Sequence, residues 1–144
     1  MKAKNFFSDN DKERIVEAIA EAEKNTSGEV RVHVEWKCNG EPLDRAANLF
    51  ALLKMHKTKL RNGVLIYLSI NDRKFAIIGD AGINAKVSED FWESTKDKML
   101  DHFKENRLTD GLVAGILSTG EQLKSHFPYQ SDDVNELPND ISFG

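Results

Sequence analysis

The side chains of this chain that could do chemistry are carboxylates. No G-x-x-x-x-G-K, H-E-x-x-H or G-x-S-x-G occurs, so the common signatures of phosphate cradling, zinc hydrolysis and serine nucleophiles are missing. His33, His56, His102 and His126 are scattered over unrelated segments, and Cys38 is the lone cysteine. A single cysteine excludes an internal disulfide framework and a multi-cysteine metal site. Carboxylates and carbonyls are the ligands that calcium and magnesium prefer. The question is therefore which acids the fold brings together, and Glu29, Asp80, Asp72 and Asp110 are the candidates.

The elements that must position them can be read from patterning. Val64 to Leu68 is apolar at every position, which a strand tolerates only when both faces are covered. Gly63 to Ile70 is thus a central strand. Asn71, Asp72 and Arg73 form a short turn whose Asn-Asp pair suits a left-handed backbone, so Lys74 to Gly79 returns antiparallel. Upstream, Val30, Val32 and Val34 alternate with Glu29, Arg31, His33 and Glu35, the period of a strand with one core face and one polar face. His33 falls on the polar face, as a surface or packing residue.

Helices surround these strands. Ser8 with Asp11 resembles an N-cap, followed by Ile15, Val16, Ile19 and Ala22 at helical spacing, so a first helix covers Asp9 to Lys24. Pro42 suits a first helical position, and Leu43, Ala46, Ala47, Phe50 and Leu53 give a stripe ending near Lys57. Strand, helix, strand makes a right-handed βαβ unit with its two strands parallel. A glycine-bearing loop, Gly79 to Asn84, leads to a third helix stapled by Val87 and Trp92 around Ser88 and running to Glu105. Thr109 caps a fourth, whose Gly111, Gly115 and Gly120 imply close packing. The expected fold is a three-layer α/β/α sandwich on a small mixed sheet, one domain over residues 1–130. Residues 131–144, SDDVNELPNDISFG, are acidic without a periodic apolar face and are expected to be a mobile tail.

This topology sorts the acids. The two parallel strands begin at Glu29 and at Asn62-Gly63, and the antiparallel strand ends at Gly79-Asp80, so Glu29, Asn62 and Asp80 meet at one edge. A looser set, Glu35, Asp72 and Asp110, belongs to the opposite edge, where α/β sheets more often bind ligands. Each acid also has an ordinary structural use: Asp72 suits a turn, and Asp110 suits a helix start. Asp132 and Asp133 could add ligands to either set.

Composition narrows the partners. The 144 residues are 40% hydrophobic and 31% charged, with a net charge of -4, which describes a globular domain and argues against nucleic acid. The short basic cluster from His56 to Arg61 is read as cations complementing a helix C-terminus. No apolar run reaches the roughly 20 residues of a membrane span, and the first residues lack the apolar stretch of a secretory signal. The expected location is the cytoplasm.

GEVRVHVEW, the RNGVLIYLSINDRKFAIIGDAGINAKV core, DFW at 90 to 92, HF at 102 and 103, and DGLVAGI at 110 to 116 together resemble the TPM domain family. The resemblance spans residues 8 to 127 and implies an αβα sandwich and an acidic cleft for a divalent cation such as calcium, with magnesium an alternative. For some plant members it also implies weak acid phosphatase activity. Many members carry a signal sequence or a C-terminal membrane anchor, and this chain shows neither. Two functions follow. One is a calcium-binding or protein-interaction module; the other is a metal-dependent phosphatase in which Glu29 and Asp80 hold the ion and residues Ala81 to Asn84 contribute carbonyls. With no side-chain nucleophile, such an enzyme would need the metal to activate water. No general base is evident either, so the binding module is the preferred reading.

Overall fold

A computed structural model describes residues 1–129 and 135–144. Among these, one sheet of four strands has the order β3-β2-β1-β4: β1 (Glu29–Glu35), β2 (Gly63–Ser69), β3 (Lys74–Gly79) and β4 (Ser142–Phe143). β1 runs parallel to β2, which pairs antiparallel with β3, in the register Glu29↔Gly63 and Val64↔Gly79. β2 is buried at every position, as its uninterrupted apolar run requires.

Among the described residues five helices flank the sheet: α1 (Asp9–Glu23), α2 (Pro42–Leu52), α3 (Ala81–Asn84), α4 (Glu93–Phe103) and α5 (Leu108–His126). Ile15 and Ile19 of α1, Met99 of α4 and Leu112 and Ile116 of α5 pack against Val30, Val32, Val34, Val64, Ile66 and Leu68 on one face. On the other face Ala46 and Leu49 of α2 meet Leu65, Tyr67 and Ala76. These are the three layers expected, and alternate residues of β2 feed the two cores.

Helix ends moved where local chemistry overrode pattern. The Ser8 hydroxyl accepts the Asp11 N–H at 3.0 Å, as a cap should. α2 stops at Leu52 rather than near Lys57, because Lys54 turns left-handed (φ 57°) and a 3₁₀ turn follows at Met55–Lys57. The expected cap at Thr109 is not used: α5 begins at Leu108, behind Asn106 with φ 60°. Residues 88–92 form turns, and α4 starts only at Glu93. In the hairpin Arg73 (φ 55°), not Asn71 or Asp72, takes the left-handed conformation.

Gly120 explains how α5 lies so close to α1. A Cβ there would sit 2.7 Å from the Cα of Ala22, a backbone atom that cannot step aside. The better helix propensity of alanine, about 1 kcal/mol, does not offset forced separation of two packed helices. Gly120→Ala should therefore lose about 1–2 kcal/mol of unfolding free energy, read from its urea midpoint.

The composition of residues 131–144 gives no sign of what the described part does. Asn135–Gly144 runs alongside β1 and ends as β4, parallel to β1 with His33↔Ser142 and Val34↔Phe143 in register. Leu137 is 8% exposed and packs in the α2 core. Two strand residues with no alternating run leave nothing for pattern reading to find.

Candidate functional site

β1 is the organising strand, because its alternate residues Glu29, Arg31, His33 and Glu35 form a polar row under the C-terminal segment. At its amino end the carboxylate of Glu29 is 3% exposed. Oε1 accepts the backbone N–H groups of Glu136 at 2.7 Å and Leu137 at 2.5 Å. Oε2 is buried and has no hydrogen-bond partner among the described residues. Beside it Glu23, at the end of α1, accepts the N–H of Val30 at 2.8 Å. The turn between them is rigid: Thr26 donates to the Phe127 carbonyl and accepts from Gly28 N–H, and Ser27 N–H bonds Phe127 O at 2.9 Å.

Glu23 and Glu29 line one small cleft of about 140 Å³ with Ser27, Tyr129 and Asn135. No lysine or arginine among the described residues is paired with either acid. Burial pushes the carboxyl of Glu23 up to about 7, and the charge of Glu29 adds to the shift. Burial likewise pushes Glu29 up to about 7, against the pull of its two backbone donors.

The other acids are committed elsewhere. The backbones of Glu29, Asn62 and Asp80 do meet, with Glu29 N–H to Asn62 O at 3.3 Å and Asp80 N–H to Gly63 O at 3.0 Å. The carboxylate of Asp80, however, is gripped by Arg61 through Nε and Nη2, both at 2.8 Å, and accepts Ala81 N–H at the start of α3. The expected carbonyl-bearing loop 81–84 is this short helix, and a Cβ at Gly82 would collide with the backbone carbonyls of Leu60 and Arg61. Asn62 donates to the Ser27 hydroxyl.

Asp72 accepts Cys38 N–H at 2.6 Å, which holds its carboxyl below the usual range, and Asp110 is held low by Arg14 at 2.8 Å. Among the described residues no three His, Cys, Asp or Glu side chains converge as a metal-holding group. Asp132 and Asp133 lie outside the described residues.

At the carboxyl end of β1 the polar row becomes a buried network. The Tyr67 hydroxyl donates to Glu35 Oε2 at 2.7 Å, Arg45 grips Glu35 through Nε and Nη2, and His33 Nε2 lies 3.3 Å from Oε1. His33 Nδ1 is 2.8 Å from the Ser142 hydroxyl, so the histidine is buried under β4 rather than at the surface. Burial would raise Glu35, but the hydrogen bonds from Arg45 and Tyr67 outweigh it and keep the carboxylate ionised below the usual range. Burial lowers His33, with Glu35 opposing. Midway, burial lowers Arg31 while Asp140 opposes.

The sequence does not single out Glu23, because on α1 it reads as solvated helix surface. The available signal was its place before the short Thr26-Ser27-Gly28 turn, which folds the end of α1 against the first residue of β1.

A mixed sheet between helical layers, with an acidic cleft at the amino end of its first strand, defines an α/β/α sandwich domain. The chain belongs to the TPM domain family, which it matches over residues 1–122. It is similar to the BA42 protein of the psychrophilic bacterium Bizionia argentinensis, with 48% identity over 95% of this chain and 94% of that one and a TM-score of 0.89. Two further structures share the fold. The N-terminal domain of the cg2496 protein of Corynebacterium glutamicum is 14% identical over 92% of this chain and 82% of that one, with a TM-score of 0.68. The N-terminal domain of a P. gingivalis protein is 20% identical over 84% and 78%, with a TM-score of 0.69. No curated protein matches significantly. Among the described residues no helix is long and apolar enough to cross a membrane.

Proposed function

We propose that this TPM domain is a binding module that takes up a divalent cation, calcium or magnesium, at the Glu23–Glu29 cleft and uses it to fix the C-terminal segment against β1. The observation that carries the reading is the buried Oε2 of Glu29, without a hydrogen-bond partner among the described residues, beside a second carboxylate. Two acids sharing a cleft with no cationic partner are costly when ionised, and a bound cation removes that cost. Hard cations complete their shells with neutral oxygens and water, and Ser27, Tyr129 and Asn135 line the same cleft. Because Oε1 of Glu29 already binds the Glu136 and Leu137 amides, an ion at Oε2 would tie that cleft to the chain that reaches β4. A protein that recognises the ordered segment is the partner this mechanism implies.

The experiment is a calcium titration of labelled protein followed residue by residue by NMR and repeated with magnesium. Saturable shifts are expected around Glu23, Ser27, Glu29 and Asn135, and they should vanish in Glu23→Gln and Glu29→Gln. Shifts centred on Asp72 or Asp110, or none that saturate, would rule the site out. A carboxyl poised near neutrality also suits a general base. Metal-dependent hydrolysis of p-nitrophenyl phosphate that disappears in Glu29→Gln would make the protein a phosphatase instead.

A further inference from the structure

The carboxyl end of β1 carries features that the cation cleft does not use. The strand order runs from β1 through β2 and β3 to one side and places β4 on the other. The crevice outside the carboxyl ends of such adjacent parallel strands, where the order reverses, is where open α/β sheets bind ligands. An open cleft of about 480 Å³ lies there, lined by Lys37, Asn39, Arg45 and Asn48 among others. That volume is in the range of small-molecule sites.

The donors in this cleft are arranged rather than merely present. Glu35 holds Nε and Nη2 of Arg45, and is itself fixed by Tyr67 and His33, so the guanidinium plane cannot swing. Nη1 is left over, on a side chain 37% exposed at the cleft. Lys37 forms no ion pair among the described residues. Asn39 and Asn48 are exposed beside them. Arg45 offsets the Glu35 charge, and Lys37, whose charge also acts on Asp72, is the second cation lining the cleft. A preoriented guanidinium with a nearby ammonium matches a phosphate or carboxylate group.

We propose that this cleft binds a small anionic ligand through a phosphate or carboxylate group held by Arg45 Nη1 and Lys37 Nζ, with the amides of Asn39 and Asn48 meeting its uncharged polar part. The site is separate from the cation cleft: β1 has seven residues, so its two ends lie about 20 Å apart.

The test is a two-arm NMR titration of the full chain in EDTA at constant ionic strength, with inorganic phosphate in one arm and succinate in the other. Saturable shifts are expected at Lys37, Asn39, Asn48 and the Arg45 Nε–H. The arm that saturates names the group, and saturation in both marks a general anion site. Lys37→Ala should weaken binding about tenfold, as expected for one charge-assisted hydrogen bond, and Asn48→Ala should weaken it less. Both side chains are exposed, so these variants fold and keep the Glu35 network. The proposal fails if neither anion saturates, or if the response is unchanged in Lys37→Ala.

Discussion

Glu35→Ala should lower the unfolding free energy by about 3 kcal/mol. The carboxylate is 7% exposed and satisfies Tyr67, Arg45 and His33 together. Removing it takes the carboxylate acceptor from a fully buried tyrosine, which keeps only the weak sulfur of Cys38, and from a buried histidine, which keeps Ser142. Arg45, partly exposed, recovers water and keeps the loss at the lower end of the range for broken buried pairs. Tyr67→Phe, which removes one donor and leaves the other two, should cost about 1 kcal/mol. Urea unfolding of both variants beside the parent checks this, and a Glu35→Ala loss no greater than that of Tyr67→Phe would show that the network does not act as a unit.

Stability without metal should fall as pH rises from about 5 to about 8, and Glu29→Gln should remove much of that fall. The sign follows from linkage. Glu23 and Glu29 have folded values of about 7 against an ordinary 4.5. Between those values the folded protein holds more protons than the unfolded chain, so their contribution is full below 4.5 and is lost as pH passes 7. His33 acts in the opposite sense below its ordinary 6.5, because its folded value is lowered. The useful quantity is therefore the difference between parent and Glu29→Gln at each pH, in which His33 cancels. On the proposed function, saturating calcium should reverse the trend, since the ion binds ionised carboxylates and stabilises only the folded state. Thermal melts at pH 5 and 8, with EDTA or calcium, measure both.

What the sequence made legible was whatever repeats with a period. Val64 to Leu68 announced a doubly covered strand, Val30, Val32 and Val34 a single-faced one, and the helical stripes supplied both outer layers. The edge at which Glu29, Asn62 and Asp80 meet also followed from strand direction alone. What stayed hidden depends on individual side-chain partners. Asp80 looks as available as Glu29 until Arg61 is seen to bind it through two nitrogens. Glu23 looks like helix surface until the turn after α1 buries it. The polar face of β1 reads as solvated because its cover is a segment with neither alternation nor stripe, held by backbone amides that no residue pattern displays.

That cover also sets an order of events during folding. The β2–β3 hairpin closes a loop of a few residues and the β1–α2–β2 unit one of moderate length, but the Glu29 contact with Leu137 joins residues 108 apart in sequence. Closing so long a loop is worthwhile only once its ends are already near each other. The contacts of α5 with the end of α1 span nearly as far, Thr26 to Phe127 being 101 apart, but they bring the chain to within ten residues of Leu137. The segment through β4 can close only after them, so it should dock last and be the first to leave. In native-state hydrogen exchange the amides of Leu137 and Gly144 would open well below the free energy of global unfolding, while those of β2 exchange only when the whole domain unfolds.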